Sequence, residues 1–180
     1  KDEEYKKLQE RLLLDDDKQP IDLTKKMLYR IFNNNDFGQG GRFYRGWWQN
    51  VPSEYRQFIT IDSKKTQEYD FSQLGPNMIY SLYNLELGSE DAYSRVLDGE
   101  HRKIVKQAFN AMIQASTPLR GQPEKINLDT IEMTWTELRQ AILDSHKPIQ
   151  HQFFRGLGNR LQFEDSNMAE GIMLDFVKED

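Results

Sequence analysis

Apolar residues recur at helical spacing along much of the chain. Tyr5, Leu8, Leu12 and Leu13 predict an amphipathic helix over 1–14, stopped by Asp15-Asp16-Asp17 and Pro20. Asp22 is placed to cap a second helix with Met27, Leu28, Ile31 and Phe32 on its apolar face, ended by Asn33-Asn34-Asn35-Asp36. The stretch 36–52 breaks the pattern, because Gly38, Gly40, Gly41 and Gly46 alternate with aromatic residues and arginines. Next, 58–61 and 66–71 read as two strands of a hairpin around Asp62-Ser63-Lys64-Lys65. Pro76 opens a helix carrying Met78, Ile79, Leu82 and Leu85, which Gly88 ends. A helix over 100–116 has Ile104, Val105, Ala108, Met112 and Ala115 on one stripe, and Pro118 stops it. After an irregular 119–133, Thr134 and Glu137 form a capping box for a helix to about Ser145. Pro148 interrupts, 153–163 fits no single period, and 166–178 is a last helix with Met168, Ile172, Met173 and Phe176. The predicted class is α+β, mostly helical with one small antiparallel sheet.

Composition narrows the function classes. The 180 residues suit one domain or part of a larger one. The absence of cysteine excludes a disulfide scaffold, a thiolate metal site and a cysteine nucleophile. The three histidines lack tight ligand spacing apart from His146 and His151. No apolar run approaches ~18 residues, and the charged start is unlike a secretory signal, so no membrane and a cytoplasmic location are expected. A formal charge of −5 gives nucleic-acid binding no support at this level. The hydrophobic fraction is 37%, and that thin apolar content fits a domain whose faces meet something else.

Three constellations could carry chemistry. Asp70 ends the second predicted strand, where a rigidly held, open carboxylate suits a hard cation such as Mg²⁺; it equally suits a surface aspartate before a helix. Arg102 and Lys106, at i and i+4, share one helix face. An anion such as a triphosphate would relieve their repulsion, although a solvated cationic face has the same spacing. Arg42, Arg45, Trp47, Trp48, Gln49 and Asn50 combine phosphate-binding, base-stacking and groove-reading groups, and would also make a packed loop around tryptophans.

In order, these segments resemble the palm and fingers of the DNA polymerase I type (family A) and of the single-subunit phage-type RNA polymerases. Gly41-Arg42 followed by Gln49-Asn50-Val51-Pro52 is similar to the family's primer–template segment, a Gly-Arg pair before Gln-Asn-Ile-Pro. Asp70-Phe71-Ser72-Gln73-Leu74 resembles motif A, Asp-Tyr-Ser-Gln-Ile, which supplies one of two metal-binding aspartates. Arg102 and Lys106 match the spacing of motif B, the fingers helix that holds the incoming triphosphate, and Phe109 lies one place before its aromatic position. The segment 166–173 resembles the helix leading into motif C.

The resemblance covers about residues 40–180. It implies a template-dependent nucleotidyltransferase with a primer–template and nucleoside triphosphates as partners and two Mg²⁺ ions. Asp70 would bind the metals. Phe71, Gly75, Arg102, Lys106 and Phe109 would contact the nucleotide, and Arg42, Gln49 and Asn50 the nucleic acid. It divides the chain into an N-terminal helical segment (1–35), a palm-like segment with motif A (36–99), fingers-like helices (100–150) and a helix leading toward motif C (151–180). Gly75 stands where the DNA polymerases carry a glutamate that blocks the ribose 2′-hydroxyl, and where the phage-type RNA polymerases carry glycine. Tolerance of ribonucleotides is therefore expected, unless Gly75 only starts the helix before Pro76.

There are departures. Gln114 and Ala115 stand where motif B has Tyr-Gly, and none of the histidines is followed by the aspartate of motif C. The chain is therefore expected to be a fragment, with little or no activity on its own. A non-catalytic nucleic-acid-binding module and a plain helical interaction domain are the alternatives.

Overall fold

A computed structural model describes Glu3 and residues 21–179. The helix expected over 1–14 lies outside the described residues. The described chain is a mixture of α-helices and two small sheets. Four strands, β1 (Tyr29–Asn33), β2 (Asp36–Tyr44), β3 (Thr60–Ile61) and β4 (Lys64–Lys65), pair as β1–β2 and β3–β4. Five α-helices follow in order: α1 (Ser53–Arg56), α2 (Leu74–Leu82), α3 (Arg102–Gln114), α4 (Trp135–Ser145) and α5 (Gly158–Glu179). Short 3-10 turns occupy Trp47–Asn50, Leu97–Gly99 and Lys147–Gln152. The described residues divide into two units, 21–31 with 42–71 and 32–41 with 72–179. Among them, no helix is long and apolar enough to cross a membrane.

Residues 22–71 depart most from the sequence expectations. No helix forms over 22–32. Asp22 does act as a cap acceptor, but it closes only a local turn, taking the Thr24 N–H at 3.0 Å and the Thr24 hydroxyl at 2.6 Å. Residues 29–33 become β1 because Asn34 and Asn35 both adopt left-handed backbone, φ 55° and 53°. Two consecutive positive φ values make the tight turn that joins antiparallel strands. The second hairpin is present but shorter than expected. Asp62 and Ser63 turn it (φ 48° and 64°), and Thr60 pairs with Lys65 and Ile61 with Lys64. The expected strand over 66–71 is irregular. Thr66 still bonds Ile59 O through its N–H (3.3 Å) and hydroxyl (2.8 Å), but the five residues after it are exposed and have no face to bury. Asp70 therefore does not end a strand.

The second unit holds the main core. In α3, Val105, Ala108, Phe109, Met112 and Ile113 are buried, while Arg102, Lys103, Lys106 and Gln107 are exposed. Thus the apolar stripe read from the sequence is the buried face. This helix packs against α4 and α5. The α4 cap is as expected: Thr134 Oγ1 accepts the Glu137 N–H, and the Glu137 carboxylate accepts the Thr134 N–H at 2.7 Å. Two helices differ in length from expectation. α2 stops at Leu82 rather than near Gly88, with Asn84 already left-handed at φ 52°. The last helix starts at Gly158, so much of the ambiguous 153–163 segment belongs to it.

A polar group sits within this core. His146 is fully buried, with Nδ1 3.0 Å from the Tyr80 hydroxyl and Nε2 3.0 Å from Ala92 O. A carbonyl can only accept, so Nε2 carries the proton and Nδ1 accepts from Tyr80. Burial pushes the imidazole pKa from 6.5 down to about 4, against the opposing pull of Ala92 O and with help from the Arg95 charge. Between those two values the unfolded chain takes a proton that the folded chain refuses. The His146 contribution to stability should therefore be constant above pH 7 and fall by about 3 kcal/mol as pH drops from about 6.5 to 4. Urea unfolding across that range checks it. His146→Gln should flatten this part of the profile, and a slope unchanged by the substitution would assign it elsewhere.

Candidate functional site

In the first unit, Asp70 and Phe71 lie in irregular backbone, Arg42 lies near the end of β2, and Gln49 and Asn50 lie in a 3-10 turn. Asp70 and Phe71 are exposed, Phe71 by 61%. Asp70 makes no hydrogen bond or ion pair among the described residues, so its carboxylate is free to meet a ligand. It stands alone in one further respect. No group of three or more His, Asp or Glu side chains among the described residues could hold a metal ion. One carboxylate by itself does not fit a pair of Mg²⁺ ions, each of which needs several oxygen ligands.

The primer–template candidates fall on and before the 3-10 turn Trp47–Asn50. Gln49 is largely engaged within the protein. Its Oε1 accepts the Gly46 N–H (3.1 Å) and its Nε2 donates to Phe43 O (2.9 Å), leaving one amide hydrogen for a groove edge. Arg42 and Asn50 are exposed. Trp47 and Trp48 meet edge to face, with ring centroids 6.0 Å apart. Gly46 allows this, because a Cβ there would stand 2.6 Å from the Trp48 ring.

In the second unit, Gly75 lies in the first turn of α2. A Cβ placed on it would meet nothing within 4 Å, so space beside it is open. Arg102 and Lys106 share the exposed face of α3, as their spacing requires. Lys106 has no ion pair among the described residues. Arg102 has one: Nη2 lies 2.6 Å from Asp91 Oδ2, and the guanidinium sits 5.3 Å from the Tyr93 ring centroid. Partial burial works to raise the Asp91 pKa. The Arg102 guanidinium and the Ser94 N–H and hydroxyl outweigh it and hold the carboxyl down to about 2. Phe109 is not on this face. It is 1% exposed, and its ring is enclosed by Tyr93, His146 and Phe153.

Asp91 and Tyr93 escape a reading of sequence alone. The available signal is local: Asp91 Oδ1 accepts the N–H groups of Tyr93 (3.0 Å) and Ser94 (2.9 Å), and Asp-x-x-Ser is a pattern that favours such a turn. Nothing local announces that its other oxygen holds Arg102. Compared with protein-family models, curated proteins and solved structures, the chain shows no significant match.

Proposed function

We propose that this chain supplies palm and fingers elements of a template-dependent nucleotidyltransferase that accepts ribonucleotides. The observation that supports the reading is the division of α3. One face is core, while the other presents Arg102 and Lys106 to solvent one turn apart. In this reading the two cations neutralise the triphosphate, arginine through its planar fork and lysine as a point charge. Tyr93 lies beneath the guanidinium and gives it an aromatic support. The open space beside Gly75 leaves room for a 2′-hydroxyl, and the motif A resemblance gives Asp70 the role of acidic group. Arg42, Asn50 and the remaining amide hydrogen of Gln49 lie along the primer–template duplex.

The direct test is equilibrium binding of a non-hydrolysable ribonucleoside triphosphate, with its deoxy counterpart in parallel. Lys106→Gln should weaken both about tenfold, as expected for one charge-assisted contact. The ribo and deoxy forms should bind within a few-fold of each other. Gly75→Glu should select against the ribo form alone. Equal binding by wild type and Lys106→Gln, or rejection of the ribonucleotide by the wild type, would overturn the assignment.

A further inference from the structure

The first unit contains a cavity of about 940 Å³ that none of the roles proposed for its residues uses. That volume lies within the range of sites for small organic ligands. Its lining is unusual for an exposed groove: both Trp47 and Trp48, the aliphatic Ile59 and Ile61, and the cations Lys26 and Arg56. We propose that this cavity binds an unpaired nucleotide of a single-stranded nucleic acid, its base against the indoles and its phosphate near Lys26 and Arg56.

Four observations carry the assignment. First, the indoles are held in place. Trp48 packs on Gly46, the two indoles are perpendicular, at 85°, and the backbone N–H of Trp47 anchors that residue's main chain to Lys25 O at 3.0 Å. A flat base can stack on one indole and meet the edge of the other, which is a favourable aromatic arrangement on both sides. Second, the cations have capacity left. Arg56 uses Nε on Val51 O (2.9 Å) and one amino group on Glu68 (3.0 Å), so its other amino group is unused. The Lys26 side chain has no ion pair among the described residues. Third, the one carboxylate in the lining, Glu68, pairs with Arg56, so the three charged lining residues leave a net +1 that Lys26 carries. Fourth, charge is unevenly distributed along the chain. Although the whole sequence is −5, the sequence of this unit, Lys1–Ile31 with Arg42–Phe71, carries 13 Lys and Arg against 12 Asp and Glu, a net +1, while the rest of the chain is −6. An apolar ligand would need none of these cations, while a polynucleotide matches both the charge and the aromatic surface.

The ligand must be single-stranded. Inside a duplex, both faces of a base are covered by its neighbours, so only an unpaired, unstacked base can enter. The inference deepens the polymerase reading, on which it relies for the class of ligand. The role it adds is capture of a strand outside the paired primer–template.

Fluorescence anisotropy on the full chain tests it, with a short labelled oligothymidylate, an abasic strand of equal length and the matching duplex, at one fixed salt concentration. The oligothymidylate should bind about fivefold or more tightly than the abasic strand. Trp48→Ala should remove that difference. Lys26→Gln should weaken both strands and lower the salt slope by about one. Both side chains are exposed, so neither change should unfold the chain; urea unfolding verifies this. Equal affinity for thymidylate and abasic strands, stronger binding of the duplex, or discrimination that survives Trp48→Ala would each overturn the proposal. The assay contains no triphosphate. Lost triphosphate binding with intact strand discrimination would sink the polymerase reading alone, and the reverse result would sink the cavity alone.

Discussion

Phe109→Ala should destabilise the protein by about 3–5 kcal/mol, a large share of the ~5–15 kcal/mol typical of a domain. The ring lies at the centre of the second unit, with Tyr93 at 5.6 Å and His146 and Phe153 each at 5.1 Å between centroids. Truncation removes the transfer energy of the ring and leaves a cavity that three rigid neighbours cannot close. It also withdraws the edge contact from His146, a group already buried and polar. Urea unfolding at pH 7 measures the effect. The same experiment bears on the role that the motif B resemblance assigns to this residue. If Phe109 met the nucleotide through an exposed ring, Phe109→Leu would weaken triphosphate binding at nearly unchanged stability. The packing predicts the opposite order: a measurable stability loss, and triphosphate affinity within about twofold of wild type while the chain remains folded.

Asp70→Asn should lower nucleotide incorporation by about 10²–10³-fold or more in a full-length protein, on the polymerase assignment, by removing the charged acceptor at the reacting end. The fold should not notice. Asp70 is exposed and has no partner among the described residues, so the stability change should stay within about ±0.5 kcal/mol. The contrast between the two substitutions is informative. One residue carries stability and no proposed chemistry, while the other carries proposed chemistry and no stability. Primer extension and urea unfolding on the same variant provide the check. Incorporation near the wild-type rate would remove Asp70 from the reacting end.

The helices were readable where two independent signals coincided. For α3 these were a continuous apolar stripe and Pro118 beyond its end. For α4 they were the reciprocal Thr134–Glu137 cap and the apolar positions after it. Strands were less readable. Met27, Leu28, Ile31 and Phe32 satisfy helical spacing, but Tyr29 to Asn33 also suits a strand. The decision lay in the turn, since Asn34-Asn35 accepts left-handed backbone and thereby favours the hairpin. In 66–71 only Tyr69 and Phe71 alternate with a polar residue, and a strand also needs a partner and a face, which no local pattern can guarantee. The same limit applies to the candidate site. The shared face of Arg102 and Lys106 follows from helix geometry alone. The Asp91 contact to Arg102 and the Tyr80–His146 bond join residues 11 and 66 apart, so they depend on tertiary packing. Phe109 was misleading because motif spacing and the apolar stripe overlap on α3, and burial decides between them.

The ion pair between Arg102 and Asp91 changes what a phosphate would encounter on α3. The guanidinium already has an anion, so binding there is an exchange and the measured affinity is a difference between two partners. An exposed pair of this kind is weakly held, so a multiply charged ligand can displace the carboxylate where a singly charged one competes poorly. Asp91 released in this way would not be stranded, because its other oxygen keeps the N–H groups of Tyr93 and Ser94. The turn that supports Tyr93 would therefore outlast the exchange, and the aromatic platform beneath Arg102 would be the same before and after a ligand arrives.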